Sequence, residues 1–351
     1  MAAPVVISAT PLRQFAVDAL AQQGVPESDA KLVAESLLRA DLRGVHTHGL
    51  VRLPTYVDRL RVGLIAARPE LRIEKPTPWS TVVDGGNGLG AVVATRAMQA
   101  ALAAADGFGI GAATAKRSNH FGAAAVCALQ AVERGYIGAA LTPASRALAP
   151  YGSRAPLLGT NPIAVAVPAG ARLAPWVMDM ATSIAARGHV RLAAMSGAAI
   201  PEGWALDEQG RPTTDAAAAL RGVMLPLAGP KGSALAMLVE ILGGVLSESG
   251  FAGTIRDMTR DFEAPQDAGH FFLAFRIDAF MPPPVFHERM ETLIERLKAL
   301  PPAAGFDEVT YPGEREARLE SARRKTGIPL PTETISALTK LAERSGLELP
   351  G

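Results

Sequence analysis

The sequence predicts a mixed α/β protein whose two ends together form a helical part around an inserted sheet. Three observations carry this reading. Apolar residues recur at helical spacing between residue 10 and about residue 43. Short β-rich runs alternate with helical runs between about residues 75 and 275. Helical patterning then returns in "PPVFHERMETLIERLKAL", "GEREARLESARRKTG" and "PTETISALTKLAERSG". The expected division is a helical domain from 1–75 and 276–351, with a mixed-sheet domain from 76–275.

Each element has its own local reason. "TPLRQFAVDALAQQG" reads as a helix with Thr10 as N-cap, Pro11 at the first helical position and Gly24 as its stop. "PESDAKLVAESLLRADLRG" reads as a second, from Pro26 to Gly44, with Leu32, Val33, Leu37 and Leu38 at helical spacing. "LVRLPTYVDRLRVG" reads as a third, with Pro54 near its start. Strands are expected in "STVVDGG", "GIGAATAKRS", "YIGAALTPAS", "NPIAVAVPA", "WVMDMA" and "HFFLAFRI". Between them, "AVVATRAMQAALAAADG", "FGAAAVCALQAVERG" and "KGSALAMLVEILGGVL" read as helices.

Composition narrows the function. The chain has 351 residues, 48% of them apolar and 20% charged, with formal net charge +1. That balance gives no electrostatic case for nucleic acid or an anionic membrane. No apolar run is long enough to span a bilayer, and no signal peptide is read at the start. Cys127 is the only cysteine, so no intrachain disulfide can form. A soluble, cytoplasmic protein is the expectation.

"STVVDGGNGLGAVVATRAMQAAL" matches GxGxxA over Gly86, Gly88, Gly90 and Ala91, between a strand and a helix. Such glycines let backbone amides approach a pyrophosphate. The acidic residue expected after the next strand is missing, and Lys116 and Arg117 stand there instead. The other reading is a glycine turn that caps a helix and packs closely on a strand.

The stretch "RADLRGVHTHGLVRLP" holds two of the six histidines, His46 and His48. Histidine trades protons near neutral pH. Thr47 offers a hydroxyl to orient the His48 ring, and Arg52 follows four residues on, on one face of any helix formed there. The arginine fork matches a carboxylate. A proton donor beside a carboxylate clamp is what reduction of a 2-oxo acid needs. Two other readings stand beside it: a solvated helix end, and a metal pair of His46 and His48, for which no carboxylate or cysteine clearly completes the ligand set. Further candidates are His120 between a strand and a helix, Thr160 and Asn161 before a strand, and Asp179 with Thr182 and Ser183 at a strand end. Lys231 lies in a glycine-rich turn, and Gly313 and Glu314 at a helix start.

Taken together, the segments resemble the malate/L-lactate dehydrogenase family of the second type. That group includes ureidoglycolate and sulfolactate dehydrogenases, 2,3-diketogulonate reductase and cyclic-imine reductases. The likeness runs from about residue 8 to 347 and rests on ordered motifs. They include "ADLRGVHTHGLVRLP", "DGGNGLG", "SNHFGAA", "APYGSRAPLLGTNPIAVAVP", "DMATS", "IPEGWALDEQGRPTTD", "AGPKGSALAMLVEIL", "GHFFLAF" and "PGERE". The resemblance implies a non-Rossmann, largely antiparallel mixed sheet with helices, a homodimer, and NAD or NADP as cofactor. It implies His48 as proton donor with Thr47 as hydroxyl relay, Arg52 as ligand of the substrate carboxylate, and Thr160 against the substrate. It implies His120 as an acid/base or cofactor contact, with Ser145, Asp179, Met180, Ala181, Lys231, Gly313 and Glu314 at cofactor-contact positions and no metal.

Three residues depart from the family pattern. Pro143 replaces a common asparagine, and Ser233 a common aromatic. His189 stands where many members have lysine and the cyclic-imine reductases have an acid. The expected activity is interconversion of a small 2-hydroxy acid and its 2-oxo acid. The alternatives are reduction of piperideine- or pyrroline-2-carboxylate, and a non-catalytic member of the fold.

Overall fold

A computed structural model describes residues 5–351. After a short strand β1 (Val5–Ile7), the first helical runs fold as α1 (Ala9–Ala21), α2 (Glu27–Leu42) and α3 (Leu53–Arg61). Helix α1 starts two residues earlier than expected. Ser8 occupies the N-cap position and Thr10 lies inside the helix, with no side-chain cap. The stretch between α2 and α3 is not one continuous helix. It forms two 3-10 turns, His46–His48 and Leu50–Arg52, broken by Gly49 in an extended conformation.

The middle supplies a hairpin, β2 (Arg72–Thr77) and β3 (Ser80–Asp84), then α4 (Gly90–Phe108), β4 (Ile110–Ser118), α5 (Ala124–Val132) and β5 (Tyr136–Leu141). Strands β6 (Ile163–Val167) and β7 (Trp176–Met180) follow, then α6 (Arg187–Ser196). A small three-stranded sheet holds β8 (Ala205–Leu206), β9 (Pro212–Thr213) and β10 (Val223–Met224), with α7 (Ala216–Arg221) between the last two in sequence. Helix α8 (Pro230–Glu240) runs into a π-helical turn, and β11 (Ala268–Arg276) returns to the main sheet. The tail forms α9 (Pro283–Lys298), α10 (Glu314–Thr326), β12 (Ile328–Leu330) and α11 (Thr332–Ser345).

The main sheet has seven strands in the order β2-β3-β4-β11-β5-β6-β7. Only β3 and β4 run parallel; every other neighbouring pair is antiparallel. The mixed, largely antiparallel sheet is therefore present. Helix α4 is the crossover between the parallel pair and buries Val93, Ala97, Met98, Ala101 and Leu102 against the sheet. Burying one Leu- or Met-sized side chain is worth about 1.5–3 kcal/mol, so this stripe outweighs the modest intrinsic preference of any of its residues.

A second core gathers Leu12, Phe15 and Leu20 of α1, Val33 and Leu37 of α2, and Leu338 and Leu341 of α11. The two chain ends are also tied by β1 pairing with β12, Val5 opposite Leu330.

The glycine turn after β3 is filled by the chain itself. A Cβ on Gly90 would lie 2.0 Å from the Asn119 carbonyl, and one on Gly86 would lie 2.9 Å from that of Glu70. The Asn119 amide donates to the Gly88 carbonyl at 2.9 Å and to the Asn87 side chain at 3.0 Å. A pyrophosphate has no place there, so the dinucleotide-fingerprint reading fails. The glycines serve close packing of the β3–α4 turn on the loop that carries His120.

Candidate active site

Arg43, Val45, Thr47 and His48, between α2 and α3, line a cleft of about 650 Å³. They do so together with Thr160 and, at the end of β7, Asp179, Met180 and Ala181. Gly122 to Ala125, at the start of α5, and Gly313, before α10, complete the lining nearby. Seven of the sequence candidates thus share one cavity.

His48 sits half-buried on the crown of the first 3-10 turn. Its Nδ1 is 2.9 Å from the Thr47 hydroxyl, which fixes the ring and leaves Nε2 toward the cleft. Burial and the nearby Arg52 charge push its pKa down from 6.5 to about 4. Arg52 donates through Nε to the Thr47 carbonyl at 2.6 Å. That bond uses the stem of the fork and leaves its two terminal nitrogens for a carboxylate. The expected pairing of His48 and Arg52 therefore holds, by a route other than a shared helix face.

His120 lies in the loop between β4 and α5, its ring stacked on His48 with centroids 5.5 Å apart and planes 22° off parallel. Its Nδ1 accepts from the Tyr56 hydroxyl at 2.7 Å and from the Gly122 N–H at 3.4 Å. The ring proton consequently lies on Nε2. Burial, then the charges of His48 and Arg52, hold its pKa well below the usual histidine range. Its backbone N–H donates to Gln266 at 2.8 Å.

Behind it, His270 of β11 is fully buried, with Nδ1 2.8 Å from the Thr142 hydroxyl and Nε2 2.8 Å from that of Ser118. Each hydroxyl also faces a carbonyl, Thr142 that of Gly269 at 3.0 Å and Ser118 that of Asn119 at 3.4 Å, so the His270 ring is held from both nitrogens. Burial pushes His270 down to about 3.

Other candidates have different surroundings. One Asp179 oxygen accepts the Ala125 N–H at 2.9 Å, so the carboxylate caps α5 from across the cleft. Glu314 is buried, its oxygens 2.7 and 2.9 Å from Lys298 and 2.6 Å from Arg318, so its carboxylate anchors the start of α10. Ser145 is half-buried in the loop after β5 and is not part of the cleft lining. Lys231 is exposed in the first turn of α8, beside a second hollow of about 460 Å³ that Tyr151, Arg154 and Gly229 line. Asn161 is buried with its amide donating to Ala236 and Glu240, a scaffold role beneath Thr160.

Of the departing residues, Pro143 packs on the π-helical turn, where a Cβ on Gly243 would come within 2.6 Å of it. The Ser233 hydroxyl accepts the Tyr151 N–H at 3.1 Å. His189 is exposed on α6, its ring 6.5 Å from that of Trp204. His46 faces away from any metal-like set: its Nδ1 is 2.7 Å from Asp41 and its Nε2 3.2 Å from Arg323. Among the described residues no group of three histidine, cysteine or acidic side chains could hold a metal ion. Nor is any described helix long and apolar enough to cross a membrane.

The sequence reading missed Tyr56, Gln266, His270 and Asp41. Tyr56 had one usable signal, its place four residues after Arg52 on an amphipathic helix. The others act from distant segments and carry no local pattern.

A family profile described as malate/L-lactate dehydrogenase matches residues 7–339. The malate dehydrogenase of Pyrococcus horikoshii is 37% identical over 345 residues, covering 96% of this chain and 94% of that one. The NAD(+) ureidoglycolate dehydrogenase of Escherichia coli K12 is 34% identical, covering 88% and 87%. The (2R)-3-sulfolactate dehydrogenase (NADP(+)) of Chromohalobacter salexigens is 36% identical, covering 96% and 98%. Among solved structures, sulfolactate dehydrogenase from Methanocaldococcus jannaschii superposes with a TM-score of 0.91 at 34% identity, covering 98% of both chains. The delta1-piperideine-2-carboxylate reductase of Pseudomonas syringae gives 0.85 at 28% identity, covering 96% and 100%.

Proposed function

The chain belongs to the malate/L-lactate dehydrogenase family and is an NAD(P)-dependent oxidoreductase of 2-hydroxy acids; from that premise we propose which residues carry the reaction and what shape of substrate they take. The observation that carries the proposal is that His48 lines the cleft while Arg52, bonded to the Thr47 carbonyl, and His120, stacked on His48, adjoin it from behind the lining. The start of α10 opens on that cleft and favours the negative charge of a pyrophosphate, whereas the start of α5 is already met by the Asp179 carboxylate. Gly313 has φ +87°, and a Cβ there would meet the Val177 backbone at 2.9 Å, so α10 begins tight against β7. Asp179, Met180, Ala181 and Gly313 would hold the dinucleotide along that seam; Ser145, Lys231 and Glu314, cofactor-contact positions by the family pattern, lie outside that lining. When bound, the nicotinamide supplies or accepts the hydride.

The chain's own residues do the rest. Arg52 forks the substrate carboxylate and sets C2 beside His48. His48 takes the hydroxyl proton through Nε2 in oxidation and returns it in reduction, with Thr47 holding the ring. His120 donates from Nε2 to the substrate oxygen, because Tyr56 holds its other nitrogen. Thr160 bounds the substrate from the facing wall.

Arg52 also lies within the fields of Asp257 and of Arg191 on α6. Arg187 in turn feels Arg191 and Arg260, with Asp257 offsetting part of their charge. The remaining excess of arginines near Arg52 favours a second acidic group on the substrate, as in a dianionic 2-hydroxy acid. The cyclic-imine alternative needs an acid where His189 stands exposed, and nothing in the site favours it. We assign the protein to the cytoplasm and, from the family pattern, to a homodimer.

The test is an absorbance assay of purified protein with NADH and NADPH separately, against pyruvate, oxaloacetate and cyclic imines. The expected result is turnover of keto acids, with kcat/KM for oxaloacetate about tenfold or more above pyruvate, one ion pair's worth of discrimination. Turnover of cyclic imines alone would select the alternative. Cofactor binding absent for both nucleotides would select the non-catalytic one.

A further inference from the structure

The turn that presents His48 is wrapped around a single buried carboxylate. Asp41, in the last turn of α2, has no solvent exposure. One of its oxygens accepts the Leu50 N–H at 2.7 Å. The other is 2.7 Å from Nδ1 of His46. Gly49 lies flat against it: a Cβ there would be 2.2 Å from the Asp41 carboxyl carbon. Residues on both sides of His48 are thus anchored to the same group.

His46 is tied from behind as well. Its Nε2 faces an Arg323 N–H at 3.2 Å, and the same Arg323 nitrogen donates to the Asp41 carbonyl. An arginine can only donate, so Nε2 must accept, and Nδ1 carries the proton toward Asp41. The set Asp41–His46–Arg323 therefore has one consistent hydrogen-bond direction. None of its three side chains reaches the cleft lining.

We infer that Asp41 is a positioning residue: with His46 and Arg323 it sets the two 3-10 turns so that His48 and Arg52 meet one substrate from adjacent sides. This rests on the assignment of His48 and Arg52 to the reaction. Asp41 touches neither substrate nor cofactor and acts only through the 46–50 turn. It also accounts for Gly49, since any larger residue would push the carboxylate off its partners.

Three substitutions behave differently. Asp41→Asn keeps an oxygen for Leu50 N–H but turns an amide N–H toward Nδ1. His46 would then have to move its proton to Nε2, where Arg323 opposes it. His46→Asn places an amide N–H where Nδ1–H stood and keeps the bond to Asp41, whereas His46→Ala loses it.

The experiment measures kcat, KM, the primary deuterium isotope effect with 4-deuterated reduced cofactor, cofactor dissociation constant and unfolding midpoint for Asp41→Asn, His46→Ala and His46→Asn, with His48→Ala as reference. The expected result is a fall in kcat of tenfold or more and a larger isotope effect for Asp41→Asn and His46→Ala. Cofactor affinity should stay within twofold, and His46→Asn should recover most of the loss. Equal activity in Asp41→Asn, no recovery in His46→Asn, or a loss of turnover matched by lost cofactor affinity would overturn it. Should Asp41→Asn not fold, the His46 pair decides alone, because that side chain is partly exposed. Retained activity in His48→Ala would instead overturn the site assignment on which the inference stands.

Discussion

An isolated histidine near neutral pH is a mixture of charged and neutral forms, because its ordinary pKa is about 6.5. Burial, and then the charge of Arg52, push His48 down to about 4, so it rests neutral and ready to accept a proton. The sign of the pH effect follows. Oxidation of a hydroxy acid needs the neutral form, which is present at any pH above about 4. Reduction needs the protonated form, whose population falls about tenfold for each pH unit above the pKa. Sequence spacing was enough to bring His48, Thr47 and Arg52 together, since all three lie within six residues. It could not show that Tyr56 fixes the His120 tautomer, or that His46 belongs to a structural chain with Asp41 and Arg323. Those roles depend on contacts across up to 282 positions, which leave no periodic trace.

At the scale of elements, the site is a meeting of turns held by strands. The loop with His120 is pressed between the start of α4 and the 3-10 turns by Gly90, where a Cβ would lie 2.0 Å from the Asn119 carbonyl and 2.4 Å from that of His120. These are backbone atoms and cannot rotate away. Gly90→Ala should therefore cost about 3 kcal/mol of stability, at the upper end for overpacking, and lower activity by shifting His120. Denaturant unfolding alongside turnover would check it; unchanged values for both would show that the loop can give way. Strands β3 to β7 and β11 and helices α4, α5 and α8 were legible from alternation and apolar spacing, whereas the exposed strand β2 and the polar or short helices α6 and α7 were not. The two- and three-residue strands β1, β8, β9, β10 and β12 were not. They exist only through pairing with remote partners, which local propensity does not encode. The glycine motif misled for a related reason, since glycine permits close approach of a protein backbone as readily as of a phosphate.

In the whole molecule, both chain ends pack into one apolar core, with α1 and α2 against α11. The boundaries that the sequence suggested, 75/76 and 275/276, fall inside β2 (Arg72–Thr77) and β11 (Ala268–Arg276). Helix α9 departs from that simple picture by packing Ile294 beside Ala169 and Tyr311, near the edge strand β7. Met237, Leu238, Ile241, Val245 and Leu246 stand exposed along α8 and the turn after it. An apolar row of this kind suits burial against a second copy, and sedimentation should give twice the chain mass of 36.6 kDa; a species of single chain mass at micromolar concentration would refute the dimer. The central claim, that His48 moves the proton for the whole enzyme, is tested most directly by the pH dependence of kcat/KM in both directions, for the native protein and His48→Ala, with cofactor binding measured alongside. The account predicts oxidation level from pH 8 down through 6.5 and falling only toward about 4, reduction losing about tenfold per pH unit across the same range, and His48→Ala binding cofactor with turnover reduced a hundredfold or more, the lower bound of about 10² for a general acid–base group. Full turnover in His48→Ala, or an oxidation profile bending near 6.5, would contradict it.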